Sequence, residues 1–298
     1  MQNAHTDVKT DESEKKIRAM IRRRITGIVL AAVFFVMWIL QGWSLRIGFV
    51  AMTVMSIWEM YGAFQARGAK PIKWIGMAYA VMMLPGYLYM GLGGMLPMLA
   101  ICCMMGLAGV IWRGEVDFDS AMATILPLIY PGCLLPLFFA IMDIKLPAVA
   151  TLAVGLMFLI ALMNDLMAYE VGMRIGKKKL SPILSPKKTV EGSIAGICAS
   201  VIIAMVLPQL VRLATVYVPF WQQYQTTFPP FWFFALMGLV GGVMGQVGDL
   251  TASMIKRYCG IKDFGAIFPG HGGMLDRIDS ILFTGVVVYV FFALAQYI

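Results

Sequence analysis

The sequence predicts an all-α polytopic membrane protein of about nine transmembrane helices, N-terminus cytoplasmic and C-terminus on the opposite side. Three observations carry that prediction. Of 298 residues, 60% are hydrophobic and 13% charged, with a mean hydropathy of +0.80. Soluble domains carry nearer ~25% charged residues, so an ordinary cytosolic enzyme and a disordered chain are both excluded. A hydrocarbon core ~30 Å thick takes ~20 apolar residues per helical crossing. Apolar runs of that order recur at 25–45, 47–64, 72–91, 94–112, 120–142, 146–173, 192–217, 230–254 and 280–298. Finally, with the N-terminus inside, every Lys and Arg except Arg46, Lys145 and Arg212 falls on the inner side. That asymmetry is the positive-inside pattern, and it favours an odd number of crossings.

In chain order, residues 1–24 form a polar cytoplasmic tail ending in Arg22-Arg23-Arg24. No short apolar stretch with a small-residue cleavage site follows, so 25–45 reads as a retained anchor rather than a signal peptide. Residues 25–145 carry few polar groups and read as scaffold helices; 146–298 hold nearly every unusual polar residue and read as the catalytic membrane region. The uncharged aromatic stretch from Pro219-Phe220-Trp221 to Phe231-Trp232 suits an outer interfacial belt. The net charge of +8 is spread between apolar runs, which points to a membrane surface and away from nucleic acid. Cys102, Cys103, Cys133, Cys198 and Cys259 read as apolar packers or inert thiols, not as a disulfide framework or zinc site.

A carboxylate at mid-membrane costs about 2.5–3.5 kcal/mol, so each one in an apolar run requires a reason. Glu59, Asp165, Glu170 and Asp249 are such residues, and Asp276 and Asp279 head the last run. Asp249 follows Gly238, Gly241, Gly242, Gly245 and Gly248, whose spacing permits close helix contact. Ser253, Lys256 and Arg257 lie beyond it on roughly one helical face. In Gly270-His271-Gly272-Gly273-Met274-Leu275-Asp276-Arg277-Ile278-Asp279-Ser280, the glycines allow close backbone approach to a ligand. Asp276, Asp279 and Ser280 share one face, where acids also suit a helix N-terminus. Two carboxylates from different helices at one depth, beside Lys and Arg, fit a magnesium site for a polyphosphate. The inner loop 172–192 adds Lys177-Lys178-Lys179 and Ser185-Pro186-Lys187-Lys188-Thr189-Val190-Glu191-Gly192. Its second cluster reads as a phosphate clamp, the first as a topology or anionic-lipid determinant. Gly172-x-x-x-Gly176-Lys177 is one residue short of a Walker A run and lacks its Ser/Thr, which excludes a P-loop.

These residues resemble a known family. Ser253-x-x-Lys256-Arg257-x4-Lys262-Asp263, continuing into Pro269-Gly270-His271-Gly272-Gly273-x-x-Asp276-Arg277-x-Asp279, is similar to the signature of the phosphatidate cytidylyltransferases, or CDP-diacylglycerol synthases. The stretch from Asp165-x-x-Ala168-Tyr169 to Ser185-Pro186-Lys187-Lys188-Thr189-x-Glu191-Gly192 resembles that family's second motif block, and Glu59 a familiar acidic position of its second helix. Asn164 departs from it, where a small or acidic residue is more usual, as does Val190, where an aromatic is frequent.

The resemblance implies an enzyme that joins CTP and phosphatidate into CDP-diacylglycerol and pyrophosphate for phospholipid biosynthesis. It implies a metal centre at Asp249 and Asp276 holding Mg2+, with or without a second cation. Lys256, Arg257, His271, Arg277 and Asp279 join those two aspartates as catalytic candidates. Asp165, Ser185, Lys187, Lys188, Thr189, Glu191, Ser253, Lys262 and Asp263 are substrate-binding candidates. A homodimer in a bacterial plasma membrane, with the active site facing the cytoplasm, completes the expectation. One competing reading is a related CTP-dependent lipid kinase or cytidylyltransferase acting on a polyprenol or other isoprenoid lipid. Another is an ion-coupled secondary transporter, which predicts charges at the bilayer midplane in two matched halves. Here they cluster at the inner face of one half.

Overall fold

The computed structural model describes residues 29, 32–114, 117–217, 229–268, 270 and 272–295. The polar tail, the aromatic stretch 218–228, Pro269 and His271 lie outside the described residues. Among those described, seven helices are long and apolar enough to cross a membrane. They are α1 (Gly42–Ala66), α2 (Lys73–Ile111), Phe118–Met142, α5 (Pro147–Ile175), α6 (Val190–Tyr217, apolar over Val190–Ala214), α7 (Phe231–Tyr258) and α8 (Leu275–Leu294). Phe118–Met142 is itself divided into α3 (Phe118–Pro127), a π-helical turn (Leu128–Gly132) and α4 (Pro136–Met142). The chain is an all-α polytopic membrane protein, with one departure from the expectation. The basic inner loop folds as an antiparallel hairpin of β1 (Lys179–Ser181) and β2 (Ser185–Thr189). No alternating apolar pattern announces it, because both strands lie outside the apolar core.

Two breaks double the chain back. A straight helix as long as α2, 39 residues, would span roughly 58 Å at about 1.5 Å per residue, about twice a hydrocarbon core. At Gly91 the backbone turns (φ 63°, ψ −160°), a left-handed φ that glycine adopts without penalty. Gly86 consequently lies against Met95 and Met98, Gly109 against Ile72, and Arg113 Nη1 donates to the Lys70 carbonyl at 2.5 Å. The helical residues 32–40 likewise end at Gln41 and Gly42 (φ 45° and 58°), so that Phe34 and Phe49 both pack on Phe158. The apolar runs predict that turn between 45 and 47. It falls earlier because hydropathy continues through it and only Gln41-Gly42 interrupts the pattern.

The C-terminal helices approach backbone to backbone. Gly192 and Gly196 of α6 face Ala168 and Asn164 of α5, Gly238 and Gly242 of α7 face Ser200 of α6, and Gly248 faces the Asp279 carbonyl of α8. Within lipid, where burial gives helices no preference for each other over acyl chains, such small-residue contacts supply the packing. Asn164, fully buried, ties three of them together. Its Nδ2 donates to the Gly242 carbonyl at 2.6 Å, and its Oδ1 accepts from Gln246 Nε2 at 2.9 Å. Gln246 in turn bonds Ser193 on α6. The residue that departs from the family pattern is thus the bundle's central polar tie. α5 and α7 end, and α6 and α8 begin, at the same end of the bundle, and the β-hairpin lies there too.

Candidate active site

Four aspartates from three helices converge on that end. Asp249 of α7 pairs through Oδ2 with Lys188 Nζ of β2, each side chain 24% exposed. Its Oδ1 accepts a long bond from Ser253 Oγ at 3.4 Å, one helical turn on. Asp276 of α8 is more enclosed: Oδ1 pairs with Lys256 Nζ at 2.6 Å. Its Oδ2 accepts from the backbone amides of Phe264 and Gly273 at 2.8 and 3.0 Å. One carboxylate therefore draws the end of α7 and the 260–273 loop onto the head of α8. Lys256 also lies over the Phe264 ring, 5.5 Å from its centroid.

Asp279, buried one turn further along α8, accepts from the Ser280 amide at 2.7 Å. Ser280 Oγ donates to Asp165 Oδ2 of α5 at 3.1 Å. Asp165, Asp249 and Asp279 lie within Coulombic reach of one another, and Lys188 and Arg277 act on Asp165. Carboxylates thus outnumber the cations among these five residues. Among the described residues no three His, Cys, Asp or Glu side chains enclose a metal site. The donors are carboxylate oxygens, which suit a hard divalent cation whose remaining ligands are phosphate and water.

The basic hairpin is built by local bonds. Glu191 accepts from the amides of Lys177 and Lys178 at 3.0 and 3.2 Å, folding the loop back on the start of α6. Thr189 Oγ1 accepts from the Gly192 amide at 3.2 Å, capping that helix, and is crowded by Gly172 and Gly176. Ser185 pairs with Ser181 in the hairpin. Lys187 and Arg257 are exposed, and Arg257 Nε donates to the Leu184 carbonyl at 3.4 Å, linking α7 to the hairpin. Lys262, Asp263 and Arg277 are also exposed. The structure brings Asp165, Lys188, Asp249, Ser253, Asp279 and Ser280 together and sets Lys256 with Asp276 beside them. Glu191 and Thr189 shape the loop; His271 lies outside the described residues.

Sequence reasoning singles out Glu59 without giving it a role. Its carboxylate, 4% exposed on α1, accepts from the amides of Met274 and Leu275 at 2.8 and 2.9 Å. Gly265 and Gly273 pack against it, where any side chain would collide. Glu59 therefore caps α8 from the other half of the chain, satisfying two otherwise unpaired N–H groups at the positive end of the helix dipole. The partner of Asp249, Lys188, is missed as a pairing, since residues 61 positions apart carry no local signal of contact.

The chain is similar to phosphatidate cytidylyltransferases of several organisms. Over 127 residues it is 40% identical to a phosphatidate cytidylyltransferase of Staphylococcus epidermidis, covering 43% of this chain and 44% of that protein. It is 43% identical over 130 residues to a phosphatidate cytidylyltransferase of Synechocystis, covering 44% and 39% respectively. A chloroplastic phosphatidate cytidylyltransferase 5 of Arabidopsis thaliana is 27% identical over 330 residues, covering 98% of this chain and 76% of that one. The two bacterial matches thus span less than half of either relative. Residues 21–295, including every aspartate described above, match the model of the cytidylyltransferase family, and the chain belongs to that family.

Proposed function

We propose that this protein transfers a cytidylyl group from CTP to phosphatidate, releasing pyrophosphate and leaving CDP-diacylglycerol in the membrane. One observation carries the reading: Asp249 and Asp276, from adjacent helices, are each held by a lysine, Lys188 and Lys256. Both pairs have the composition a metal-bound polyphosphate requires, a carboxylate for the metal and an ammonium for the phosphate. Asp249 and Asp276 would hold Mg2+, which when bound supplies charge neutralisation for the triphosphate. Lys188 and Lys256, released from the carboxylates, turn to phosphate oxygens. The exposed Arg257 and Arg277 bind further oxygens as planar forks.

The phosphatidate oxygen attacks the α-phosphorus of CTP. A P–O bond forms there as the bond to the α,β-bridging oxygen breaks, and pyrophosphate leaves with that electron pair. The acceptor monoester is anionic near neutral pH, so no strong general base is needed, and alignment with charge neutralisation does the chemistry. An apolar cavity of about 290 Å³, walled by Phe64, Phe118, Met122, Leu126 and Met254 with Arg67 and Asp119 at its edge, is a candidate seat for an acyl chain.

The finer topology belongs to the same proposal: nine crossings, with the active site facing the cytoplasm of a bacterial plasma membrane. The turns at Gln41–Gly42 and Gly91, each dividing an apolar stretch into an antiparallel pair, support the count. A homodimer rests on the family resemblance. The test is purified protein in mixed micelles with Mg2+, phosphatidate and labelled CTP. Labelled liponucleotide and equimolar pyrophosphate are expected, and their absence across metals and lipid chain lengths overturns the assignment. Asp249→Asn and Asp276→Asn should each lower turnover at least ~10³-fold while the protein stays folded, on the scale of losing a principal electrostatic group.

A further inference from the structure

The buried hydroxyl of Tyr130 is not used by any contact described so far. Its side chain is 6% exposed, and Oη has no hydrogen-bond partner among the described residues. Two other buried tyrosines of the same half behave differently. Tyr61 Oη donates to the Thr124 carbonyl at 3.3 Å, and Tyr79 Oη to the Gly132 carbonyl at 3.4 Å. Buried polar groups are nearly always paired, so an orphaned hydroxyl marks a place where something else binds. What surrounds Tyr130 says what that is. It sits against elements of the candidate active site: Phe283 of α8, which itself lies against Gly248, the residue before Asp249. Its ring packs edge-on against Phe283, one turn beyond Asp279 on α8, with centroids 6.1 Å apart.

The backbone is built to put it there. Tyr130 is extended (φ −127°, ψ 111°) at the kink Leu128–Gly132, between α3 and α4. A regular helix through 118–142 would continue its turn at 130, whereas this interruption leaves the Tyr130 ring against Phe283 of α8.

We propose that Tyr130 is a substrate-contacting residue whose Oη donates a hydrogen bond to a phosphate oxygen bound at the aspartate cluster. The ligand rests on the proposed function; the orphaned hydroxyl does not. A phosphate is the group that fits, because it is anionic, accepts hydrogen bonds and reaches carboxylates only with accompanying cations. Both the lipid monoester and the nucleotide carry such oxygens. Tyr130 comes from the half of the chain that the sequence presents as scaffold, so the site is closed by both halves.

The test is Tyr130→Phe beside Tyr79→Phe, each compared with wild type in detergent. Thermal unfolding is followed alone, with Mg2+ and CTP, and with a short-chain phosphatidate, and steady-state kinetics are measured in parallel. Tyr130→Phe should unfold at or above the wild-type temperature, since no protein bond is lost. It should also lose most of the shift given by one of the two ligands, with KM for that ligand raised about tenfold or more. The ligand affected identifies which phosphate Oη meets. Tyr79→Phe should unfold earlier yet keep both shifts. If Tyr130→Phe keeps both shifts and both KM values, the inference fails. Wild type that responds to the ligands but forms no liponucleotide overturns the proposed reaction instead, and the shifts still decide the role of Tyr130.

Discussion

Glu59 illustrates how one buried charge is maintained in an apolar helix. An isolated carboxylate would cost several kcal/mol there, yet this one meets two amides at the start of α8 and the backbone of Gly265 and Gly273. Its removal leaves two buried donors unpaired at a helix N-terminus. Glu59→Ala is expected to lose about 2–3 kcal/mol and Glu59→Gln less, since the amide keeps one acceptor oxygen. Urea or thermal unfolding in detergent reads the order; equal stability of Ala and wild type would contradict the capping role. Activity should fall with it, because the loop that Glu59 anchors also carries the amide contacts of Asp276. The five cysteines are free, and burial pushes the Cys259 thiol up, which keeps it from reacting as thiolate.

Between elements, the contact that decides the site is the close approach of α5, α6 and α7. Helices separated by large side chains would hold Asp165 and Asp249 too far apart to act on each other. Gly196 has no room for a side chain against Asn164, and Gly242 none against Ser200, so glycine sets the separation. Asn164 and Gln246 then fix the register, because each satisfies the other in a medium without water. Asn164→Leu keeps the volume but removes one acceptor from the Gln246 amide and the side-chain bond to the Gly242 carbonyl. It should cost about 1–2 kcal/mol in the folded membrane protein, near the upper range for interhelical hydrogen bonds. Unfolding in mixed micelles measures this. A stability unchanged by Asn164→Leu would mean that apolar packing alone sets the register.

For the whole molecule, the cross-chain bonds sort themselves by end. Arg46 pairs with Asp143, Gln41 Nε2 donates to Thr151, and Tyr87 donates to Asp143, all at the end opposite the aspartates. Arg113 bonds Lys70 and Arg67 bonds the Tyr258 carbonyl at the basic end. Only paired antiparallel crossings bring residues 70 and 113 to one side. In a cysteine-free background, Gly114→Cys should react with an impermeant thiol reagent from the cytoplasmic face alone and Lys145→Cys from the other face alone. Reaction of both from one side would refute the nine-crossing arrangement. The same ends explain why the two halves depend on each other, since Glu59 and Tyr130 come from the first, Glu59 holding the start of α8 and Tyr130 packing on Phe283 in the second.

Hydropathy and charge asymmetry determined that the chain crosses a membrane repeatedly, because transfer of apolar segments and retention of cations are properties of local composition. The spacing of Ser253, Lys256, Arg257, Asp276 and Asp279 likewise made the family legible, since chemistry confined to two adjacent segments leaves its residues close in sequence. Only the tertiary structure decided that Lys188 faces Asp249, that Glu59 caps α8, and that Tyr130 packs against Phe283 of α8. Those contacts join residues tens to hundreds of positions apart. They depend on where helices turn and how closely glycines let them pack, quantities set by the whole bundle rather than by any one stretch of chain.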